Sequence, residues 1–359
     1  MGMQEKLKEL DEELHRTQKN KATEFHIGIL KSKMAKLRRE LTSPRKHGTS
    51  AGGFDVKKSG DATVAIIGLP SVGKSTLLNK ITNAESKTAA YAFTTLKCIP
   101  GIMEYKSAKI QILDLPGIIE GAKEGRGRGR EVIAVARSSD LILILLDAQH
   151  TKQYNTIVSE LEGFGIRLNR KPPNIVISKS MRGGINIEHT VKLTKISERE
   201  IMAAMNEYSY FSADVVLRSD VNIDEFIDVL EGNRVYLPAL VVVNKIDLLG
   251  NKKISLSVPY VPISAEKNTG IDELKEKRFY ALNLMKIYTK RKGEVADLEE
   301  PMIIRGGSSI GEVCERLHRD LKKEFKYALV WGKSVKHPGQ RVGLDHVLQD
   351  GDILQIVKK

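Results

Sequence analysis

The sequence predicts an α/β protein built on a doubly wound, largely parallel sheet, with smaller units attached at both ends and one inserted. Three observations carry this prediction. Short apolar runs recur at residues 63–67, 109–113, 141–146, 239–243 and 261–263. Helical stretches separate them, which is the pattern of parallel strands covered on both faces. The gap between the third and fourth runs is too long for a single crossover, so it must hold structure of its own.

The chain has 359 residues, enough for two to four domains. Hydrophobic residues make up 41% and charged residues 29%, an ordinary soluble balance. No apolar run is long enough for a membrane helix, and no membrane partner is expected. The first residues carry no apolar signal core, and Lys6 stands where a myristoylation signal needs Ser or Thr. Cys98 and Cys314 are the only cysteines, which excludes a disulfide framework and suits a reducing, cytoplasmic setting. A monomer is expected. The formal net charge of +13 points to RNA or another polyanion as partner.

Residues 1–60 read as a basic helical region and linker. Leu7, Leu10 and Leu14 fall on one helix face, as do Leu30, Met34, Leu37 and Leu41, and the pattern stops at Pro44. From Arg16 to Lys46 the only carboxylates are Glu24 and Glu40. Two readings stay open there: a solvated helix face, or an arm touching RNA phosphates. Residues 47–60, rich in Gly, Ser and Lys, mark the linker.

The sheet domain is expected over residues 61–164 and 236–290, interrupted by an inserted α+β subdomain at 165–235. In the insertion, 175–178 and 191–193 read as strands and 198–208 as a helix. A further helix is expected at 271–288. Residues 291–359 read as a β-grasp module, with strands at 301–304, 328–332 and 352–357 and a helix at 309–325.

Gly68-Leu69-Pro70-Ser71-Val72-Gly73-Lys74-Ser75-Thr76 follows a predicted strand and opens an apolar-periodic helix. This is the context of a phosphate-binding P-loop. Its glycines let backbone N–H groups wrap phosphate, and the helix turns its positive end toward the anion. Lys74 should reach the β- and γ-phosphates, and Ser75 should ligate Mg²⁺. Asp114-Leu115-Pro116-Gly117 closes the second run; Asp114 would support the metal and Gly117 would offer an N–H to the γ-phosphate. Ile118 follows. Asn244-Lys245-Ile246-Asp247 closes the fourth run. An ionised Asp247 accepts both N1–H and the amino group of guanine, which adenine cannot supply. Asn244 would brace the loops, and the stem of Lys245 would cover the base. Ser264-Ala265 would supply an N–H to guanine O6. The ligand expected is therefore GTP or GDP. Between P-loop and Asp114, Tyr91-Ala92-Phe93-Thr94-Thr95-Leu96 should hold a switch threonine on Mg²⁺ and γ-phosphate. Thr95 is the choice, with Thr94 as fallback.

The run of these motifs resembles the developmentally regulated GTP-binding proteins, a branch of the Obg-like translation-factor GTPases. The likeness extends to residues 162–169, 171–174, 218–220, 231–236 and 323–332, and so spans the chain. It implies an S5 domain 2-like insertion, a C-terminal TGS domain of β-grasp type, cytoplasmic GTP hydrolysis and work on translating ribosomes. It also supports Thr95 as the Mg²⁺-reaching residue.

One position departs from the usual hydrolytic apparatus. A water-orienting Gln often follows Asp-x-x-Gly; here Ile118 stands there and cannot hold water. The missing group must come from another switch residue, a regulatory protein partner, the ribosome, or K⁺ as a second cofactor. Relatives that use K⁺ often have Asn where this chain has Ser71. The glycine-spaced Arg126, Arg128 and Arg130 read either as a solvated switch loop or as a charge clamp. Two competing functions remain: a nucleotide-responsive RNA- or ribosome-binding scaffold with little hydrolysis, kept open by Ile118, and a P-loop ATPase or kinase, opposed by Asp247.

Overall fold

The computed structural model describes residues 2–42, 59–82, 99–115, 128–250, 253–291, 293–318 and 320–359. The chain opens with helices α1 (Met3–Arg16) and α2 (Glu24–Thr42). Strand β1 (Ala62–Ile67) leads into α3 (Lys74–Ile81). Next come β2 (Ile99–Tyr105), β3 (Ala108–Asp114), α4 (Arg128–Ser138), β4 (Leu141–Asp147) and α5 (Gln153–Gly163). The inserted segment holds β5 (Ile166–Leu168), β6 (Ile175–Lys179), β7 (Ile185–His189), α6 (Glu198–Glu207), β8 (Ala213–Leu217), α7 (Ile223–Glu231) and β9 (Val235–Leu237). The sheet resumes with β10 (Ala239–Asn244), β11 (Val261–Pro262) and α8 (Ile271–Ala281). The C-terminal module comprises β12 (Leu284–Thr289), β13 (Met302–Arg305), α9 (Ile310–Leu317), β14 (Phe325–Trp331), β15 (Gln340–Val342) and β16 (Ile353–Lys358). The described residues of 54–154 and 238–359 form one compact unit; those of 1–53 and 155–237 form another.

In the larger unit, six strands lie in the order β11-β10-β4-β1-β3-β2. All neighbours are parallel except β2 and β3. The four inner strands are nearly all apolar, because helices cover both faces. Val64, Ile66, Ile110, Ile112, Leu141, Leu143 and Leu145 are all buried in one cluster with Leu77 and Leu78 of α3. Strand β2 escapes the sequence pattern because Pro100 and Gly101 interrupt it. It lies at the sheet edge, where a missing donor is tolerated. A Cβ on Gly101 would overlap Thr82 Cγ2, so only glycine fits there.

The C-terminal module is a five-stranded sheet in the order β13-β12-β16-β14-β15, with α9 packed on one face. The helix expected at 271–288 stops at Ala281, and residues 284–289 are strand β12. The break is Asn283, whose φ of +50° lies outside helical space. The helix expected at 309–325 ends at Leu317, where His318 turns extended. Its N-terminus is set by a reciprocal capping box between Ser309 and Glu312.

In the smaller unit, the three-stranded sheet β6-β8-β7 carries α6 and α7. The strand expected at 191–193 is absent; it lies at β7 instead, joined to β8 in parallel through α6. Parallel β5 and β9 pair where the insertion leaves and rejoins the sheet domain sequence. Helix α2 packs against α6 and α7. Gly28 permits this approach, since a Cβ there would lie 3.0 Å from Ala203 Cβ. Three cations of α2 take a role that the sequence did not suggest. Lys31 pairs with Asp224 at 2.7 Å, Lys36 with Glu207 at 3.1 Å and Arg39 with Glu231 at 3.7 Å. They are committed to acids of the insertion helices, neither fully solvated nor presented as a free arm.

Beneath α2 lies a buried ionic knot. Arg167 donates to both oxygens of Asp228 at 2.6 Å, and Arg234 adds a third bond at 2.8 Å. Replacing Asp228 by Ala would strand two buried guanidinium groups. A loss of about 3–5 kcal/mol in this unit is expected on urea denaturation followed by circular dichroism. A loss under about 1 kcal/mol would show that the arginines re-pair elsewhere.

Candidate nucleotide site

The sheet order brings four carboxyl-terminal strand ends side by side: β10 with Asn244, β4 with Asp147, β1 with the P-loop, and β3 with Asp114. At ~4.8 Å per strand, β10 and β3 are about 14 Å apart, room for a base at one end and phosphates at the other. This is the crevice where doubly wound sheets bind ligands.

Residues 68–73 turn from β1 into α3, which begins at Lys74. Gly73 has φ +94°, and an added Cβ would overlap Asn244 Nδ2. Gly68 is equally constrained, since a Cβ there would collide with the Leu145 carbonyl oxygen. Ser71 itself has φ +63°. Lys74 Nζ donates to Gly68 O at 2.9 Å and Leu69 O at 3.0 Å. Val72 is buried, Leu69 half-buried, and Pro70, Ser75 and Thr76 are exposed at the mouth of the loop.

Asn244 is 2% exposed and ties three loops together. Its Nδ2 donates to Val72 O at 2.9 Å, and its Oδ1 accepts from Ala265 N at 2.9 Å. The Ala265 N–H, expected to face a purine carbonyl, thus already serves Asn244. Lys245 has φ +64° and reaches back over the P-loop. Its Nζ donates to Ser71 O at 2.7 Å and pairs with Asp147 Oδ2 at 2.9 Å. Ile246 N bonds Ile263 O at 3.2 Å, which fixes the loop that presents Asp247. The Ser264 hydroxyl hydrogen-bonds the Asp247 carboxylate and holds its pKa below the ordinary value. Asp247 is therefore an acceptor at neutral pH.

Asp147 is the residue that sequence reasoning missed. Its signal was available: an acid closing a buried apolar strand. Burial opposes its ionisation, but the Lys245 ammonium and the Gln149 N–H outweigh this and lower its pKa. Asp114, at the end of β3, behaves oppositely. Burial raises its pKa against the pull of Lys74 and the Ser75 hydroxyl. Its Oδ1 is buried with no hydrogen-bond partner among the described residues. The structure therefore brings together Gly68 through Thr76, Asp114, Leu115, Asn244 through Asp247, Ser264 and Ala265. Thr94, Thr95, Pro116, Gly117, Ile118 and Arg126 lie outside the described residues.

The sequence profile described as a 50S ribosome-binding GTPase matches residues 63–179. The profile for the C-terminal region of that domain matches 182–284, and the TGS domain profile matches 285–358. Among described residues, no helix is long and apolar enough to cross a membrane. A developmentally-regulated GTP-binding protein 1 homolog of Dictyostelium discoideum is 52% identical over the full length of both chains. Human developmentally-regulated GTP-binding protein 2 is 51% identical, again with full coverage of both. A GTP-binding protein of Methanocaldococcus jannaschii is 53% identical across all of this chain and 94% of its own. With a P-loop G domain, a TGS domain and half its residues shared end to end, this chain belongs to the developmentally regulated GTP-binding protein family.

Proposed function

We propose that this GTP-binding protein hydrolyses GTP as a switch, acting on RNA or ribosomes in the cytoplasm. The observation that carries the nucleotide part is the Asn244 bridge, which couples the guanine-selecting loop to the phosphate loop. Asp247 selects guanine by accepting from N1–H and the amino group; adenine would leave an ionised carboxylate without donors. The Lys245 stem walls the base, steadied by Asp147. Lys74 exchanges its two carbonyl partners for β- and γ-phosphate oxygens. The N–H groups of residues 68–76 hold the remaining phosphate charge.

Mg²⁺ fits the residues present. Asp114 offers a buried oxygen without a partner, beside the Ser75 hydroxyl. Carboxylate and hydroxyl oxygens are the hard donors that this ion prefers. Ser75 and Asp114 would hold it with Thr95, and when bound it would neutralise charge on the phosphates. Gly117 would donate its N–H to the γ-phosphate. No side chain at Ile118 can orient water, so another switch residue, a partner, the ribosome or K⁺ must complete hydrolysis. That same residue favours the second reading, a nucleotide-responsive scaffold with little turnover.

Three measurements test this. Asp247→Ala should reduce the preference for GTP over ATP at least about tenfold in competition with labelled GTP; an unchanged preference would remove guanine selection from this residue. Asn244→Ala breaks two buried hydrogen bonds across the loops and should weaken GTP at least about tenfold by calorimetry, with the fold intact. In single-turnover assays the chain alone should hydrolyse slowly, and K⁺ or ribosomes should accelerate it. Fast turnover indifferent to both would refute the incomplete-site argument, and no turnover under any condition would favour the scaffold.

A further inference from the structure

The unit that joins α1 and α2 to the insertion holds a cavity of about 250 Å³. Leu14 of α1, Met34 and Ala35 of α2 and Ile227 of α7 give it apolar walls. The knot of Arg167, Asp228 and Arg234 also lines it. That knot is not neutral. Two guanidinium groups, only 12% and 10% exposed, share one carboxylate. Their other acceptors carry no charge: Arg167 Nη1 donates to Glu162 O at 2.6 Å, and Arg234 Nη1 to Asn233 Oδ1 at 3.0 Å. Arg234 Nη2 makes no hydrogen bond among the described residues. One positive charge is thus left over in a largely buried place, which is costly without a counter-ion.

The remaining charges around the cavity do not cancel it. Lys31 pairs with Asp224 at 2.7 Å, and Glu162 with Arg170 at 2.6 Å. The carboxylates of Asp11 and Asp224 are 50% and 62% exposed, so they belong to the rim and not to the buried part. Arg38 adds an exposed cation to the lining. The space is smaller than the pockets that hold nucleotides or drug-sized molecules. It suits a small anion, and a guanidinium fork matches the oxygens of a phosphate.

We propose that this cavity binds inorganic phosphate, held by Arg234 and Arg167 from the insertion and by Arg38 from α2. The rim acids select among oxyanions. A carboxylate only accepts hydrogen bonds, and monohydrogen phosphate keeps an O–H to donate to Asp11 or Asp224; sulfate has none. The bound anion would draw the α1–α2 hairpin and the insertion onto one charge. The site uses no residue of the nucleotide loops and goes beyond the function proposed above.

Phosphate would also enter an open P-loop, so the full chain is kept saturated with GDP and titrated with phosphate by calorimetry at constant ionic strength. One phosphate per chain should bind, and sulfate at least about tenfold more weakly. Arg234→Met leaves Arg167 and Asp228 as a neutral pair, so the unit should still fold. It should weaken phosphate at least about tenfold while GDP affinity holds. Arg38→Gln, outside the knot, should weaken it roughly two- to fivefold. Phosphate should also slow hydrogen exchange in α1 and α2 of the parent chain, which locates the site even if Arg234→Met does not fold. No binding with the P-loop filled, binding that both substitutions leave intact, or exchange in α1 and α2 indifferent to phosphate would overturn the site. Equal affinity for sulfate would overturn the selection of phosphate by the rim carboxylates.

Discussion

The nucleotide site depends on one buried amide. Asn244 meets a carbonyl of the P-loop with its nitrogen and an N–H of the 264–265 loop with its oxygen. Each bond satisfies a backbone group that would otherwise be left unpaired, at about 1–3 kcal/mol apiece. The same amide dictates Gly73, since any side chain there would overlap its nitrogen. Loops from β1, β10 and the segment after β11 thus become one body. Lys245, Asp147, Ser264 and Asp247 extend it as a chain of ion pairs and hydrogen bonds.

The phosphate end is built on a different principle. Lys74 is satisfied by two carbonyls of its own loop, and Asp114 keeps a buried oxygen without a partner among the described residues. In the proposed reading, phosphate would compete with the first and a cation would supply the second. Base recognition would be set in place by folding, while the phosphate end would gain or lose contacts with the number of phosphates. This asymmetry suits a switch: identity is read by a fixed element, and state by groups that have alternative partners.

How much of this could be read from residues alone follows from where the interactions lie in sequence. Each strand of the parallel sheet announced itself, because burial on both faces leaves continuous apolar runs. The P-loop and Asn244–Asp247 were legible because backbone geometry and base chemistry restrict those positions to a few residue types. Edge strand β2 was hidden because its Pro and Gly answer to the sheet margin and to Thr82. Asn283 ended α8 early through a left-handed backbone, where local periodicity continued. The pairing of Lys31, Lys36 and Arg39 with the insertion was invisible because its partners lie about 170–190 residues away. Such pairs follow from tertiary placement, and no local window contains them.

That last pairing changes the meaning of the net charge. A basic stretch in sequence left a polyanion contact open at the N-terminus, yet three of its cations, Lys31, Lys36 and Arg39, are engaged by Asp224, Glu207 and Glu231. The acids of the insertion, which looked balanced in composition, supply the complement. On the TGS sheet, Arg341 and Lys290 rest on Tyr327 and Trp331. A cation held by a ring keeps its full charge for a phosphate, whereas one held by a carboxylate has already been neutralised.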